Sequence, residues 1–290
     1  MKPIQKSVYL FKYANSLASF LEKARHQGQT IGFVPTMGAL HAGHLSLVTE
    51  AQKHYDLVVC SIFVNPTQFN NAVDLAKYPR TLERDLELLS AVRTDAVYFP
   101  EIEDVYPPHT NTENFGFGVL EEVLEGAHRP GHFAGVGMVV SRLLRIVSPD
   151  GLLLGEKDYQ QCLIIKNLVQ QMGWENRLKL HFCPTTREAN GLAMSSRNTR
   201  LSVQGKEEAA NLHLVLEACK EKYPHFSPSE LADWATHSLN VLPNTRVEYV
   251  AFADASSLRP VGQWNESEHI RVLIAAWVED VRLIDNALLF

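Results

Sequence analysis

The chain has 290 residues, 46% of them hydrophobic and 21% charged, with a formal net charge of −6. That length is generous for one domain and comfortable for two, and the composition is that of an ordinary globular enzyme. The negative charge argues against a protein that grips nucleic acid through a general basic face, and no apolar run is long enough to suggest a membrane span.

In chain order, Met1–Lys6 is not followed by a long apolar core, so no leader peptide is expected. Asn15 to Gln27 predicts a helix, capped by Asn15 or Ser16, with Leu17, Phe20, Leu21 and Ala24 on one face and Gly28 as its stop. Thr30–Val34 reads as a buried strand, and Leu45–Tyr55 as a helix with Leu45, Val48, Ala51 and Tyr55 inward. Between them runs Pro35-Thr-Met-Gly-Ala-Leu-His-Ala-Gly-His44, which places two glycines and two histidines at a strand-to-helix turn. Glycines let the backbone approach a phosphate, and a helix start supplies N–H groups and a positive dipole. His41 and His44, three apart, can share a face and add donors, so the turn points to a nucleotide.

Asp56–Val64 is near-continuously apolar, as a parallel strand covered on both faces should be, and completes a βαβ unit. It ends in Asn65-Pro-Thr-Gln-Phe69. Asn65 and Gln68 there are either recognition amides or plain turn chemistry. Arg80–Val92 follows as a helix with Leu82, Leu86 and Leu89 inward, and Asp95–Pro100 as a strand. Residues 101–132 lack periodicity and contain Tyr106-Pro-Pro-His109 and Glu125–Phe133. With His128, Arg129 and His132, this loop is either a lid over an anion or a solvated connection.

A helix over Ala134–Val147 leads to a strand at Gly151–Gly155, and Lys157-Asp-Tyr-Gln-Gln161 opens the next helix. In a parallel sheet this second strand–turn–helix edge lies on the same rim as the first. The strand Leu178–Phe182 precedes Gly191-Leu-Ala-Met-Ser-Ser-Arg-Asn198, a loop suited to phosphate although ordinary in composition. Past Leu201, helices over 203–222 and 228–240 precede β-rich runs at Arg246–Phe252 and Ile270–Ala276, a small α+β domain whose boundary falls near 184–190. The four cysteines, Cys60, Cys162, Cys183 and Cys219, form no C-x-x-C pair, which fits reduced thiols in a cytoplasmic protein.

Five segments now stand in order: Thr36–His44, Phe63–Phe69, Arg129–Val136, Gly155–Gln161 and Ala193–Asn198. Together they make the chain, over essentially its full length, resemble the pantoate–β-alanine ligase (pantothenate synthetase) family of the nucleotidyltransferase superfamily. The resemblance implies an α/β fold with a Rossmann-like parallel-sheet domain over 1–185 that binds ATP and pantoate. It also implies a smaller α+β domain over 186–290, a homodimer, and dependence on ATP and Mg²⁺; the need to keep water off an adenylate leads us to expect that domain, ahead of the 101–132 segment, to close over the site. The reaction it implies joins pantoate to ATP as pantoyl adenylate with loss of pyrophosphate; β-alanine then displaces AMP to give pantothenate. Neither nucleic acid nor membrane is an expected partner.

Carried over by motif, His41, His44, Lys157 and Arg197 are the catalytic groups, with His44 the proton donor. The ATP contacts are Met37, Gly38, Ala39, Leu40, His41, Ala42, Gly43 and His44, then Gly155, Glu156, Lys157 and Asp158, then Thr186, Met194, Ser195, Ser196 and Arg197. Met194 either contacts adenine or packs. Gln68 and Gln161, with Asn65, hold the small substrates, and no residue is assigned to the metal. Met138 and Thr186 depart from the family pattern, which more often has threonine and valine there. Two other readings compete: another adenylate-forming or nucleotidyl-transferring enzyme of the superfamily, and a non-catalytic nucleotide sensor. A transfer-RNA ligase needs an RNA-binding domain and a basic face that this length and charge leave little room for. A sensor would be favoured by loss of a histidine, Lys157 or Arg197, and all are present.

Overall fold

A computed structural model describes residues 8–68, 75–76, 78–108 and 113–290; Met1–Lys6, Phe69 and His109, named above, lie outside them. By contacts the chain forms two compact units, and the second is gathered from three stretches: Gly118–His128, Lys157–Leu163 and Pro184–Phe290.

The first unit is built on a parallel sheet of β1 (Tyr9–Phe11), β2 (Ile31–Thr36), β3 (Leu57–Ile62), β4 (Ala96–Tyr98), β5 (Gly151–Gly155) and β6 (Lys179–Cys183). Its helices include α1 (Ala14–His26), α2 (Ala42–Ala51), α3 (Leu82–Ala91) and α4 (His132–Val147). All six residues of β3 are buried, as the unbroken apolar run requires of a strand covered on both faces. Strand order is β1-β4-β3-β2-β5-β6, so the direction of winding reverses between β2 and β5. Open α/β sheets bind ligands at the carboxyl ends of the strands flanking such a reversal. Here those ends carry Thr36–His44 and Gly155-Glu156.

Local differences from the sequence expectation have physical causes. Neither Asn15 nor Ser16 caps α1. The helix starts at Ala14, whose N–H donates to Asp104 Oδ2 at 2.7 Å, a cap supplied from ninety residues away. α2 stops at Ala51, short of Tyr55. The Tyr55 ring instead lies over two glycines of the sheet. A Cβ at Gly151 would fall 1.9 Å from its hydroxyl oxygen, and one at Gly32 would fall 2.7 Å from its ring. The hydroxyl meets His181 Nε2 on β6 at 2.7 Å, so one side chain spans β2, β5 and β6. Residues 101–132 are less irregular than their composition suggests. They contain helical turns at Ile102–Val105, Gly118–Glu121 and Glu125–His128.

The second unit holds an antiparallel sheet of β7 (Thr245–Asp254), β8 (Ile270–Val278) and β9 (Val281–Leu288) in that order. α5 (Tyr159–Gln171) begins in this unit, and α6 (Val203–Lys222) and α7 (Pro228–Asn240) lie wholly within it. Leu212, Leu216, Leu231 and Leu239 from α6 and α7 share a core with Ile270, Val272, Ile274 and Leu283 of the sheet. α7 begins as its sequence advertises, with Ser227 and Glu230 in a reciprocal capping box and proline at the first turn. The sequence reading missed β9 and also β1, an edge strand of three residues. The parallel sheet with a smaller antiparallel one is the α/β Rossmann-like class expected, with its α+β addition.

Candidate active site

At the β2–α2 turn, His41 is the N-cap of α2 and His44 its third residue, and each ring accepts a backbone N–H through Nδ1. Gly43 N–H donates to His41 Nδ1 at 3.2 Å, and His41 N–H to His44 Nδ1 at 3.3 Å. A neutral imidazole that accepts at Nδ1 carries its proton on Nε2. Both rings therefore present Nε2 as donor, with centroids 4.0 Å apart. The turn's own amides are otherwise engaged. Gly38 N–H donates to Thr36 Oγ1 (3.2 Å), and those of Ala39 and Leu40 donate to Asp85 (2.9 and 2.8 Å). Gly38 has a φ of 81°, and a side chain there would press on Ile62 and on Asp85. Met37, Ala42 and Gly43 complete the stretch, Ala42 being exposed and the other two half-buried.

Beside this turn, Gln68 Nε2 donates to Met37 Sδ, and the Gln68 carbonyl meets His132 Nδ1 at 2.8 Å. Asn65, 1% exposed, is taken up internally. Its Nδ2 donates to Gln68 Oε1 (3.3 Å) and to the Gly135 carbonyl (3.2 Å), while its Oδ1 accepts from Thr67 and from Tyr106 Oη. A Cβ at Gly135 would fall 2.4 Å from the Thr67 carbonyl oxygen, so α4 packs backbone to backbone against this turn. The Arg129–Val136 motif thus has a structural meaning. Its glycine and histidine hold the segment that carries Gln68.

In the second unit the remaining candidates gather around β9. Asn286 Nδ2 donates to the Lys157 carbonyl at 2.9 Å. Its neighbour Asp285 accepts both guanidinium nitrogens of Arg187, at 2.6 and 3.1 Å. Arg187 belongs to a hairpin in which it bridges to Ala193 and the Met194 N–H donates to the Thr186 carbonyl (3.0 Å), so Thr186 and Met194 sit side by side. Ser195 Oγ accepts the Arg197 N–H at 3.2 Å and caps the short helix Ser196–Arg200. Lys157 Nζ lies 3.8 Å from Asp158 Oδ1, and the Asp158 side chain is half exposed. Of the adjacent glutamines, Gln160 is buried and structural, with Nε2 donating to the Leu120 and Val123 carbonyls and Oε1 accepting the Glu125 N–H. Gln161 is half-buried.

A family model described as pantoate–β-alanine ligase matches residues 9–288. A pantothenate synthetase of Porphyromonas gingivalis is 43% identical over 277 residues, covering 96% of this chain and 98% of the relative. One from Phocaeicola vulgatus is 44% identical over 278 residues with the same coverage. The chain belongs to the pantoate–β-alanine ligase family. Among solved structures, the pantothenate synthetase of Thermus thermophilus superposes with a TM-score of 0.90 at 37% identity, covering 98% of this chain and 100% of that one. The pantoate–β-alanine ligase of Francisella tularensis, solved in complex with β,γ-ATP and β-alanine, gives 0.81 at 35% identity, covering 97% and 98%.

Members of this ligase family join pantoate to β-alanine at the cost of ATP through an acyl-adenylate, and the family is the one the five motifs resemble. Three side chains that organise the ligase's candidate residues, Asp85, Asp285 and Asn286, went unread in the sequence. The only signal was a polar residue at an inward helical position (Asp85) or within an apolar alternation (β9), and each is at most 6% exposed. Among the described residues no helix is long and apolar enough to cross a membrane, and no group of three or more His, Cys, Asp or Glu side chains is set to hold a metal ion. All four cysteines are free and buried. Burial pushes the Cys60 thiol up to about 12, so it is no nucleophile at neutral pH.

Proposed function

We propose that the chain makes pantothenate in two steps, with the residues carried over above in the roles their chemistry allows. The observation that carries this assignment is the pair of Nε2 donors on His41 and His44 at the carboxyl end of β2. In the first step a pantoate carboxylate oxygen bonds to the α-phosphorus of ATP, and the bond from that phosphorus to the pyrophosphate oxygen breaks. Two anions must meet, so catalysis is positioning and neutralisation of charge. His41 and His44 donate to the phosphates, and His44 supplies a proton as pyrophosphate departs. Lys157 and Arg197 neutralise the same groups. In the second step the β-alanine amine bonds to the acyl carbon, AMP leaves with the bridging oxygen, and the amine sheds a proton.

Gln68 and Gln161 bind pantoate through neutral amides, and Asn65 acts by holding Gln68. Thr186, Met194, Ser195 and Ser196 complete the nucleotide contacts, with Gly155, Glu156 and Asp158. In this reading residues 1–185 supply most ATP and pantoate contacts, and 186–290 shield the adenylate. Magnesium, when bound, offsets phosphate charge. The donor set fits an ion carried in on the nucleotide with one or two carboxylates, such as Asp158, and not a protein cage. A cytoplasmic homodimer completes the reading. The buried free thiols support the compartment, and sedimentation at micromolar concentration tests the dimer.

With ATP, Mg²⁺ and pantoate alone, labelled pyrophosphate exchanges into ATP; adding β-alanine then releases AMP. Exchange that requires β-alanine would sink the two-step reading, and exchange independent of pantoate would favour another substrate. Gln161→Ala raises the pantoate KM by about tenfold to a hundredfold, the worth of a hydrogen bond or two to a charged group, with little change in kcat. A fall in kcat at unchanged KM would move Gln161 out of the pantoate site.

A further inference from the structure

Two successive residues of the β2–α2 turn, Gly38 (φ 81°) and Ala39 (φ 49°), have left-handed backbones. Successive N–H groups in a turn of this kind converge into a concavity that binds anions. In a glycine-bearing strand-to-helix turn the expected guest is a phosphate. Here the guest is the chain's own carboxylate. Ala39 N–H donates to Asp85 Oδ2 at 2.9 Å and Leu40 N–H to Asp85 Oδ1 at 2.8 Å, one amide to each oxygen. Asp85 is in the first turn of α3 and 1% exposed, and Thr81 Oγ1 donates to its Oδ1 at 3.2 Å. A left-handed alanine persists only where its surroundings over-determine it. Two hydrogen bonds to one buried carboxylate, donated by its own N–H and the next, do that for Ala39.

We infer that Asp85 is a positioning residue for the ligase. Its carboxylate permanently fills the anion-binding hollow of the turn, so the nucleotide phosphates are held by side chains, His41 and His44 first, and not by the amides of Ala39 and Leu40. The inference rests on the functional reading above for what the turn is for, but not for what fills it. Asp85 acts through geometry, because the residues it pins lie immediately before His41 and the cap of α2.

Amide hydrogen exchange on the unmodified protein decides the central point without turnover. The amides of Ala39 and Leu40 should exchange slowly without nucleotide, and saturating ATP should leave their rates unchanged. Amides that exchange freely until ATP slows them would mean that the hollow is a phosphate site, and would overturn the inference. Failure of pantoate-dependent pyrophosphate exchange would defeat the functional reading and leave this result standing. For the positioning role, Asp85→Asn and Asp85→Ala should lower the single-turnover adenylation rate about tenfold to a hundredfold, the cost of a displacement of about 1 Å at reacting groups. The pantoate dissociation constant should stay within about twofold of wild type, since the lost interaction is not with pantoate. Formate should restore part of the rate in Asp85→Ala, where it can enter the emptied hollow, and none in Asp85→Asn, where the amide still fills it. Wild-type adenylation in both variants, or a loss shared equally with pantoate affinity and untouched by formate, would refute a positioning role.

Discussion

Replacing His44 by alanine lowers the single-turnover rate of pantoyl-adenylate formation by about 100- to 1000-fold, the loss that follows removal of one donor to developing charge. Lys157→Ala has a loss of the same order. In both variants pantoate binding, measured by equilibrium titration, changes little, because the partners proposed for these residues are phosphates whose charge shifts during transfer. The geometry separates this effect from unfolding. His44 Nδ1 also accepts the His41 N–H at the start of α2, so truncation opens a helix cap, worth about 1 kcal/mol. Lys157 is anchored through its backbone carbonyl, by Asn286, and removing its side chain leaves that anchor in place. A variant that loses pantoate affinity while adenylating normally would exchange the roles of the cations and the glutamines.

Arg282→Ala should destabilise the second unit by about 3–5 kcal/mol, as expected when one partner of a buried ionic network is removed. Arg282 donates from both terminal nitrogens to Glu125, each at 2.7 Å, and from Nε to Glu248 at 2.9 Å. Its side chain is 18% exposed, that of Glu125 9%. Tyr249 Oη also donates to Glu125 (2.8 Å). The β7–β8 register slips between Val247 and Tyr249, a bulge that singles out Glu248. Without the guanidinium the two carboxylates lose the cation they share, while His128 Nδ1 stays 3.5 Å from Glu248 Oε2. Burial raises the Glu248 pKa, but the hydrogen bonds and charge of Arg282, helped by Trp277 and His128, outweigh it and hold the carboxyl below its ordinary 4.5. In the wild type that contribution is complete above 4.5 and fades as pH falls through the lowered value. The variant lacks the Arg282 share of it, so denaturant unfolding should show the gap between the two proteins narrowing below pH 4.5. A gap independent of pH, or one under about 1 kcal/mol at neutral pH, as for an exposed pair, would refute the coupling.

The parts of this chain legible in sequence are those where local chemistry and final structure agree. β3 is apolar at nearly every position because it is covered on both faces, and α7 opens with its capping box and proline. The turn at Thr36–His44 was readable because strand, glycine and helix signals abut. Partners brought from far away were not legible. Asp85 stands out only as a lone polar residue on the inward face of an amphipathic helix, and its partners Ala39 and Leu40 lie more than forty residues away. In β9, Asp285 and Asn286 interrupt the alternation with residues that favour turns, and both are buried because Arg187 and the Lys157 carbonyl meet them. Tyr55 has the spacing of an inward helical residue; its place over Gly32 and Gly151 depends on a strand nearly a hundred residues later. Adjacent glutamines, too, look alike in sequence, and only the three carbonyl and amide partners of Gln160 mark it as scaffold.

The three stretches of the second unit emerge from the ribosome at different times, and β9 comes near the end of the last of them. Glu125 precedes its partner Arg282 by 157 residues, about 8 to 30 seconds of synthesis at roughly 5–20 residues per second. Until β9 is made, Glu125, the Lys157 turn and the Arg187 hairpin each lack an anchor that this one strand supplies. A chain broken off before Val281 would therefore leave the Lys157 turn and the Arg187 hairpin unanchored and a buried carboxylate without its countercharge. Assembly of this unit is in effect a check, made at β9, that translation has gone far enough.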